Sequence, residues 1–489
     1  MPGKRLYLET MGCQMNVLDS ELVRGQLRRL GYTPVAEAAE ADLVVLNTCS
    51  VRKHAEDKVY SRLGEIGHLK RQRPGMIVGV IGCMAERDPE GLSARSTPVD
   101  FLCGPGNLHE IPALLEQIRR SRLGNGPTVS SSRPIALARE RSRSVPASQR
   151  GCDDGIESLD LSRTPADGNV LQPYVRVQRG CDKFCTFCVV PWTRGPERSR
   201  PPIHILQEVR RLAGAGAQEI TLLGQTVNSY TYDEKGRLVT FAELLARVHE
   251  VAGIKRIRFV TSYPGDFTDD IFEAMRDLPK LCEYLHLPAQ SGSDAVLQRM
   301  RRQYTVSQYL DLLERARTIV PGIALAGDVI VGFSGETESD HEATLRLIER
   351  AAYKNLYIFK YSPRPGTAAD RRLPDDVPEE VKKRRHAEVS RLQERISFKH
   401  HQRWLGRGVE VLVEGPSKAA VKARAGDGSA DPALAWRPQD QLTGRTRTDE
   451  SVVFRGPDAM IGQLVRVTVT ASSALTLQGE LVETPAPRP

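Results

Sequence analysis

Cys181, Cys185 and Cys188 stand as Cys-x3-Cys-x2-Cys in RGCDKFCTFCVVP, directly after a strand pattern over 174–177. Three thiolates on one short loop can hold three corners of a cubane 4Fe–4S cluster, because soft thiolate sulfur suits iron–sulfur chemistry. A structural zinc site closes with four ligands. No local fourth ligand stands here, so one iron would stay open, as a catalytic metal needs. A zinc knuckle borrowing a distant His or Cys is the alternative that spacing alone leaves. Three further cysteines, Cys13, Cys49 and Cys83, each lie shortly past a strand pattern, over 5–9, 42–46 and 76–81. If those strands are parallel, all three thiols emerge at one carboxyl edge, where α/β folds place their ligands. Their equivalent positions point to a second cluster with an open iron. The plainer alternative is three buried small hydrophobes, a common fate of free cysteine.

The elements that must position these residues follow from periodicity. Residues 17–30 carry a helical apolar stripe closed by Gly31. Strands alternating with helices through the first 120 residues predict a parallel sheet with right-handed crossovers. Residues 121–169 are rich in Ser, Arg, Pro and Gly with no sustained period, and read as a flexible basic linker. Six strand patterns follow, at 174–177, 219–223, 256–261, 284–287, 325–331 and 356–361. They make a (β/α)6 partial TIM barrel whose chemistry sits in the loops after the strands. A charged helix over 378–404 leads to short β segments at 409–413, 451–454 and 464–470, predicting a small antiparallel barrel with a loose loop at 419–440. The expected division is 1–120, 121–169, 170–400 and 404–485. The fold class is α/β throughout, with the small β-barrel at the end.

The chain has 489 residues, 40% hydrophobic and 27% charged, which is globular composition for several domains. Nine cysteines without an export signal fit a reducing compartment, so ligands or buried thiols are expected rather than disulfides. No run approaches the roughly 18 apolar residues of a membrane span. A cytoplasmic protein with no membrane partner is therefore expected. The net charge of +8 suits a polyanionic partner.

The Cys181–Cys188 loop resembles the radical S-adenosylmethionine superfamily. The set GCQMN (12–16), NTCSVR (47–52), IGCMAE (81–86), RGCDKFCTFCVVPWTRGPERSRP (179–201), LLGQTVNSY (222–230), HLPAQSGSD (286–294) and GRTRTDESVVF (444–454) resembles its methylthiotransferase family. The resemblance runs from about residue 4 to 482, interrupted by the linker and the 419–440 loop. It implies that Cys181, Cys185 and Cys188 hold the cluster that cleaves S-adenosylmethionine to a 5′-deoxyadenosyl radical. Cys13, Cys49 and Cys83 would hold an auxiliary 4Fe–4S cluster carrying the sulfur. Two S-adenosylmethionine molecules would be used per turnover, one for methyl transfer to sulfur and one for the radical.

Phe187, Gln225, Ser262, Gln290, Ser291 and Asp328 carry over as S-adenosylmethionine contacts, each with ordinary loop or barrel packing as the alternative. No catalytic residue is expected beyond the cluster ligands. Thr226, Ser334 and Ala368 depart from the family pattern but remove no ligand. Cys103 and Cys282 match no motif and read as buried thiols, Cys103 with a lesser possibility of lying near the auxiliary cluster. Cys152 has no assigned role. The terminal barrel resembles the TRAM domain, an OB-like RNA-binding module, with Lys418, Arg445 and Arg447 as phosphate contacts.

The implied substrate is the anticodon-loop adenosine at tRNA position 37, already isopentenylated. A flavodoxin- or ferredoxin-type reductant and a sulfur- or cluster-supply protein would serve a monomer. A threonylcarbamoylated tRNA or a ribosomal protein is the alternative substrate. A non-catalytic iron–sulfur RNA-binding redox sensor is the alternative from another class.

Overall fold

A computed structural model describes residues 4–50, 53–94, 98–123, 134–137, 154–163, 170–424 and 440–482. The chain divides into two compact units, one of 1–254, 259–261 and 362–374, the other of 255–258, 262–361 and 375–489.

The first unit opens with six parallel strands: β1 (Lys4–Thr10), β2 (Tyr32–Pro34), β3 (Leu43–Thr48), β4 (Ile77–Gly82), β5 (Phe101–Cys103) and β6 (Ile135–Ala136). Their order is β2-β1-β3-β4-β5-β6. β3 and β4 are buried along their whole length. Leu43 and Val45 feed one core while Val44 and Leu46 feed the other. A sheet covered on both faces reads as unbroken apolar runs, which is why DLVVL and MIVGVI were legible.

Within 121–169 the structure departs from the expected linker. β6 joins the sheet beside β5. Asp154–Ser162 is a helix that buries Ile156 and Leu159 in the core shared with Leu27 and Leu108. Two apolar anchors on so short a helix set no visible period, and tertiary contact supplies the stability. Cys152 lies outside the described residues.

Next come β7 (Tyr174–Arg176), β8 (Gln178–Arg179), β9 (Arg198–Ser199) and β10 (Glu219–Leu223). The antiparallel pair β8–β9 joins Gln178 to Ser199 and Arg179 to Arg198, closing the base of the 180–197 loop. A hairpin of β11 (Thr231–Glu234) and β12 (Arg237–Thr240) follows, its two-residue turn holding Lys235 and Gly236 at φ 58° and 87°. Positive φ at both turn residues matches the right-handed twist of hairpin strands. β13 (Arg256–Val260) completes a three-stranded sheet of order β13-β10-β7, its final residues lying in the first unit.

In the second unit β14 (Tyr284–His286), β15 (Ala324–Val331) and β16 (Asn355–Lys360) form a parallel sheet. Ile257 makes a parallel bridge to Leu281. The intervening helices Val306–Ile319 and Glu338–Ala351 both start with capping boxes, on Thr305 and Thr337. All six strands predicted between 174 and 361 are present. The helix Glu379–Gln402 then leads into a closed barrel of β17 (Gly408–Pro416), β18 (Gln441–Arg445), β19 (Ser451–Arg455), β20 (Leu464–Ser472) and β21 (Leu477–Leu481). Val411, Leu442, Phe454, Val467 and Leu477 fill it. Part of the loop expected at 419–440 is the helix Lys418–Arg424, and 425–439 lie outside the described residues. No helix among the described residues is long and apolar enough to cross a membrane.

Candidate metal centre

Cys13 follows β1 and caps the helix Gln14–Arg29, Cys49 follows β3, and Cys83 begins the helix Cys83–Arg87 directly after β4. Because β1, β3 and β4 are parallel neighbours, the three thiols leave one sheet edge. The approach is tight. A Cβ on Gly12 would meet Cys49 Cβ and Asn16 Cγ at 2.9 Å. Gly82 sits at φ 93°, where a Cβ would meet Asn47 Oδ1 and Thr48 O at 2.5 Å. Only glycine accommodates both that backbone and that contact.

A buried amide lattice stitches these strand ends together. Asn16 Nδ2 donates to Asn47 Oδ1 (2.9 Å) and to Thr48 O (2.8 Å). Asn47 Nδ2 donates to Asn16 O (2.8 Å) and Ser20 Oγ (2.9 Å). Thr48 Oγ1 donates to Ile81 O at 2.7 Å, reaching β4. Asn16 and Asn47 are fully buried, so every one of these bonds guards a group that would be costly to leave unpaired.

The thiols feel one another. The hydrogen bond with Cys49, helped by the Arg194 charge and the N–H groups of Asn16 and Met15, holds Cys13 down at about 6 against burial. Burial pushes Cys83 up; the Arg194 charge and a hydrogen bond with Thr193 oppose it. A low thiol pKa means more of the thiolate that binds metal. Among the described residues no three His, Cys, Asp or Glu side chains converge as a single-ion site.

Cys181, Cys185 and Cys188 share the loop closed by β8–β9. Cys181 and Cys185 are buried and Cys188 is half-buried. Cys181 N–H donates to Gly195 O (3.2 Å) and Cys188 N–H to Cys185 O (3.0 Å). Gly180, at φ 76°, passes so close to Pro196 that a Cβ would lie 2.0 Å from its carbonyl oxygen. Burial, then the neighbouring charges of Cys188 and Cys185, push the Cys181 thiol up. Phe187 is half-buried on this loop. Phe184, at φ 49°, meets Trp192 edge-on at 6.4 Å.

In the same unit Gln225 follows β10. Its Oε1 and the Nε2 of Gln178 are buried without a hydrogen-bond partner among the described residues. In the second unit the Ser262 Oγ is likewise orphaned. Gln290 has φ 71°, and its backbone bridges to Val329. Asp328 Oδ1 pairs with His286 Nε2 at 2.9 Å. Ser291 has partners within its own loop. Its buried hydroxyl accepts from Ser293 N–H (3.2 Å) and lies 3.5 Å from Thr344 Oγ1, so it anchors its own loop.

In the terminal barrel the two arginines expected to meet phosphate also have partners within the protein. Arg447 donates from all three of its nitrogens, to the Glu283 carboxylate and to the carbonyls of Pro279 and Leu281. Arg445 pairs with Glu414 (3.1 Å) and Asp449 (2.8 Å). Arg258 donates to Arg447 O (2.9 Å) and Thr446 O (2.6 Å), Arg256 to Arg445 O (2.8 Å), and Lys354 to Asp449 (3.1 Å). GRTRTDE is thus a latch onto the starts of β13, β14 and β16. Lys418 remains exposed. Cys103 lies in the apolar core, its thiol pushed well up by burial, and Cys282 is buried.

Sequence reasoning missed Arg194, Asn16 and Asn47 as residues of the centre. All three stand inside the quoted motif strings, beside the cysteines, but only folding brings them together.

Residues 5–104 match the uncharacterized protein family UPF0004, residues 175–348 the radical SAM superfamily and residues 433–482 the TRAM domain. The fold and the cysteine loop therefore define a radical S-adenosylmethionine enzyme, a class that works with an iron–sulfur cluster and S-adenosylmethionine. A tRNA-2-methylthio-N6-dimethylallyladenosine synthase of Rhodopirellula baltica is 47% identical, covering 98% of this chain and 95% of that protein. One of Moorella thermoacetica is 42% identical, covering 98% and 99%. The chain belongs to the tRNA-2-methylthio-N6-dimethylallyladenosine synthase family. Among solved structures, the radical S-adenosylmethionine methyltransferase TsrM of Kitasatospora setae superposes with a TM-score of 0.51 at 13% identity, covering 75% of this chain and 77% of that one. That likeness is one of fold.

Proposed function

We propose that this enzyme is a tRNA methylthiotransferase that converts N6-isopentenyladenosine at position 37 to its 2-methylthio derivative. The observation that carries the reading is the convergence of Cys13, Cys49 and Cys83 at one sheet edge, in a chain that also bears the radical cysteine loop. Cys181, Cys185 and Cys188 would hold one 4Fe–4S cluster, and the sheet-edge trio a second that carries sulfur. When bound, these groups supply one-electron cleavage of a sulfonium and a transferable sulfur atom. The chemistry needs both, because C2–H of adenine is unactivated and no side-chain base removes that proton near neutral pH. Two S-adenosylmethionine molecules are consumed per turnover in this reading.

The chain's own residues hold and orient. The amide lattice fixes the three strand-end thiols, β8–β9 fixes the loop thiols, and Gln225 and Ser262 are among the proposed cofactor contacts. Phe187, Gln290, Ser291 and Asp328 complete the proposed contacts. The 1–120, 170–400 and 404–485 segments act as sulfur-carrier domain, radical core and RNA-binding barrel, with Lys418 touching tRNA phosphate. Single-strand capture of the anticodon loop lets the base leave its stack. A flavodoxin- or ferredoxin-type reductant and a sulfur- or cluster-supply protein serve a cytosolic monomer.

The test is anaerobic incubation of cluster-reconstituted protein, reductant and S-adenosylmethionine with isopentenylated tRNA and, separately, threonylcarbamoylated tRNA, followed by nucleoside mass analysis. A methylthio mass gain confined to the isopentenyl nucleoside is expected. Gain only on the other nucleoside, or on neither while 5′-deoxyadenosine still forms, overturns the substrate.

A further inference from the structure

Arg194 lies on the chain just beyond the radical cysteine loop, yet its side chain is spent at the other thiol trio. It is buried, and both of its side-chain hydrogen bonds leave from Nη2, to Asp19 Oδ2 at 2.8 Å and to Asn16 Oδ1 at 3.3 Å. Asn16 Oδ1 is the atom that also accepts from Cys13 Sγ at 3.3 Å. Arg194 and Cys13 therefore converge on one buried oxygen. Neighbouring Thr193 hydrogen-bonds Cys83.

Asp19 is shared, although Arg176 makes its shorter ion pair, 2.7 Å, with Asp160. Asp19 gives its other oxygen to Arg176 at 3.4 Å, so one carboxylate serves two guanidinium groups. A buried cation is costly unless anions complete its surroundings. A cubane on three thiolates is anionic and gains negative charge on reduction, and local charge sets its potential. Arg364 is a second cation near Cys49, and it pairs with Glu56 at 3.5 Å.

We propose that Arg194 is the counter-ion of the cluster at Cys13, Cys49 and Cys83, a positioning residue held by Asn16 and Asp19 that raises the reduction potential of that cluster. The proposal rests on the reading of those thiols as cluster ligands. It also gives the link between the two cysteine sites a physical form, since Arg194 ends the Val190–Thr193 helix that leaves the radical loop.

The experiment uses the full chain with Cys181, Cys185 and Cys188 all changed to Ala, reconstituted anaerobically, with iron content and an electron paramagnetic resonance redox titration as readouts. The parent is expected to hold about one cubane. Arg194→Gln should retain iron but be about tenfold less reduced at the parent's midpoint, ~59 mV for a one-electron couple. Arg194→Lys should lie close to the parent, and Asp19→Asn, which frees the cation, should shift in the opposite direction. An unchanged midpoint in Arg194→Gln, or equal shifts in the Gln and Lys variants, overturns the proposal. If Arg194→Gln loses its iron, Asp19→Asn decides: no upward shift, or loss of iron there too, overturns it. A parent without iron overturns the carrier-cluster reading itself, and the counter-ion falls with it.

Discussion

The two cysteine trios sit in the same unit and are built on opposite plans. Cys181, Cys185 and Cys188 occupy one loop, pinned at its base by two residues of β8 against two of β9. Cys13, Cys49 and Cys83 come from three separate strand ends, joined only because β1, β3 and β4 are neighbours and because Asn16 and Asn47 exchange hydrogen bonds. A chelating loop carries its geometry in local sequence. A strand-edge site borrows its geometry from a whole sheet, and so answers to changes far from any ligand.

The sharpest way to break this comparison is to remove one ligand from each trio. Cys185→Ala should reduce 5′-deoxyadenosine formation to background. Cys13→Ala should leave that cleavage intact and abolish the methylthio product; retained product would remove the sulfur-carrying role. Both products are read in one chromatographic assay.

Glycine substitutions test the two scaffolds instead of the ligands. Gly82→Ala forces a Cβ into Asn47 Oδ1 and Thr48 O at positive φ, and should cost about 1–3 kcal/mol. Iron should then be lost from the strand-edge site alone. Gly180→Ala presses on Pro196 O and should empty the loop site alone. Iron counted in backgrounds lacking the other trio separates the two. Equal loss from both sites in either variant would mean that the scaffolds are not independent.

The second unit supplies a control. Arg447→Ala removes charge-assisted bonds to Glu283 and should cost about 1.5–3 kcal/mol of that unit's stability while both iron sites stay filled. Acid should act on the same latch. Burial pushes the Asp449 carboxyl up, but Lys354, Arg445 and Arg258 outweigh it and hold the group at about 2, below its ordinary 3.8. A depressed folded value contributes stability above the ordinary value, lost as pH falls through about 2. Acid unfolding followed by circular dichroism should show that loss, weakened in Asp449→Asn. The smallest effect belongs to Lys418→Ala, which should lower tRNA affinity evenly across sequences and reduce the salt slope by about one ion.

The sequence by itself determined much of this protein. The β3 and β4 strands were legible because burial on both faces makes them continuous apolar runs, and the 181–188 loop because its three cysteines are near neighbours in the chain. Even the shared edge of Cys13, Cys49 and Cys83 followed from strand parallelism. Tertiary structure alone decided three things. The helix Asp154–Ser162 exists because its two apolar anchors find the sheet core, a stabilisation no local period reports. Arg445 and Arg447, basic residues in a terminal barrel, are engaged by Asp449 and Glu283, partners that composition could not assign. Arg194 reaches Asn16, distant in sequence, because hydrogen bonds and ion pairs are chosen by proximity in space, and the sequence carries that proximity only through the fold.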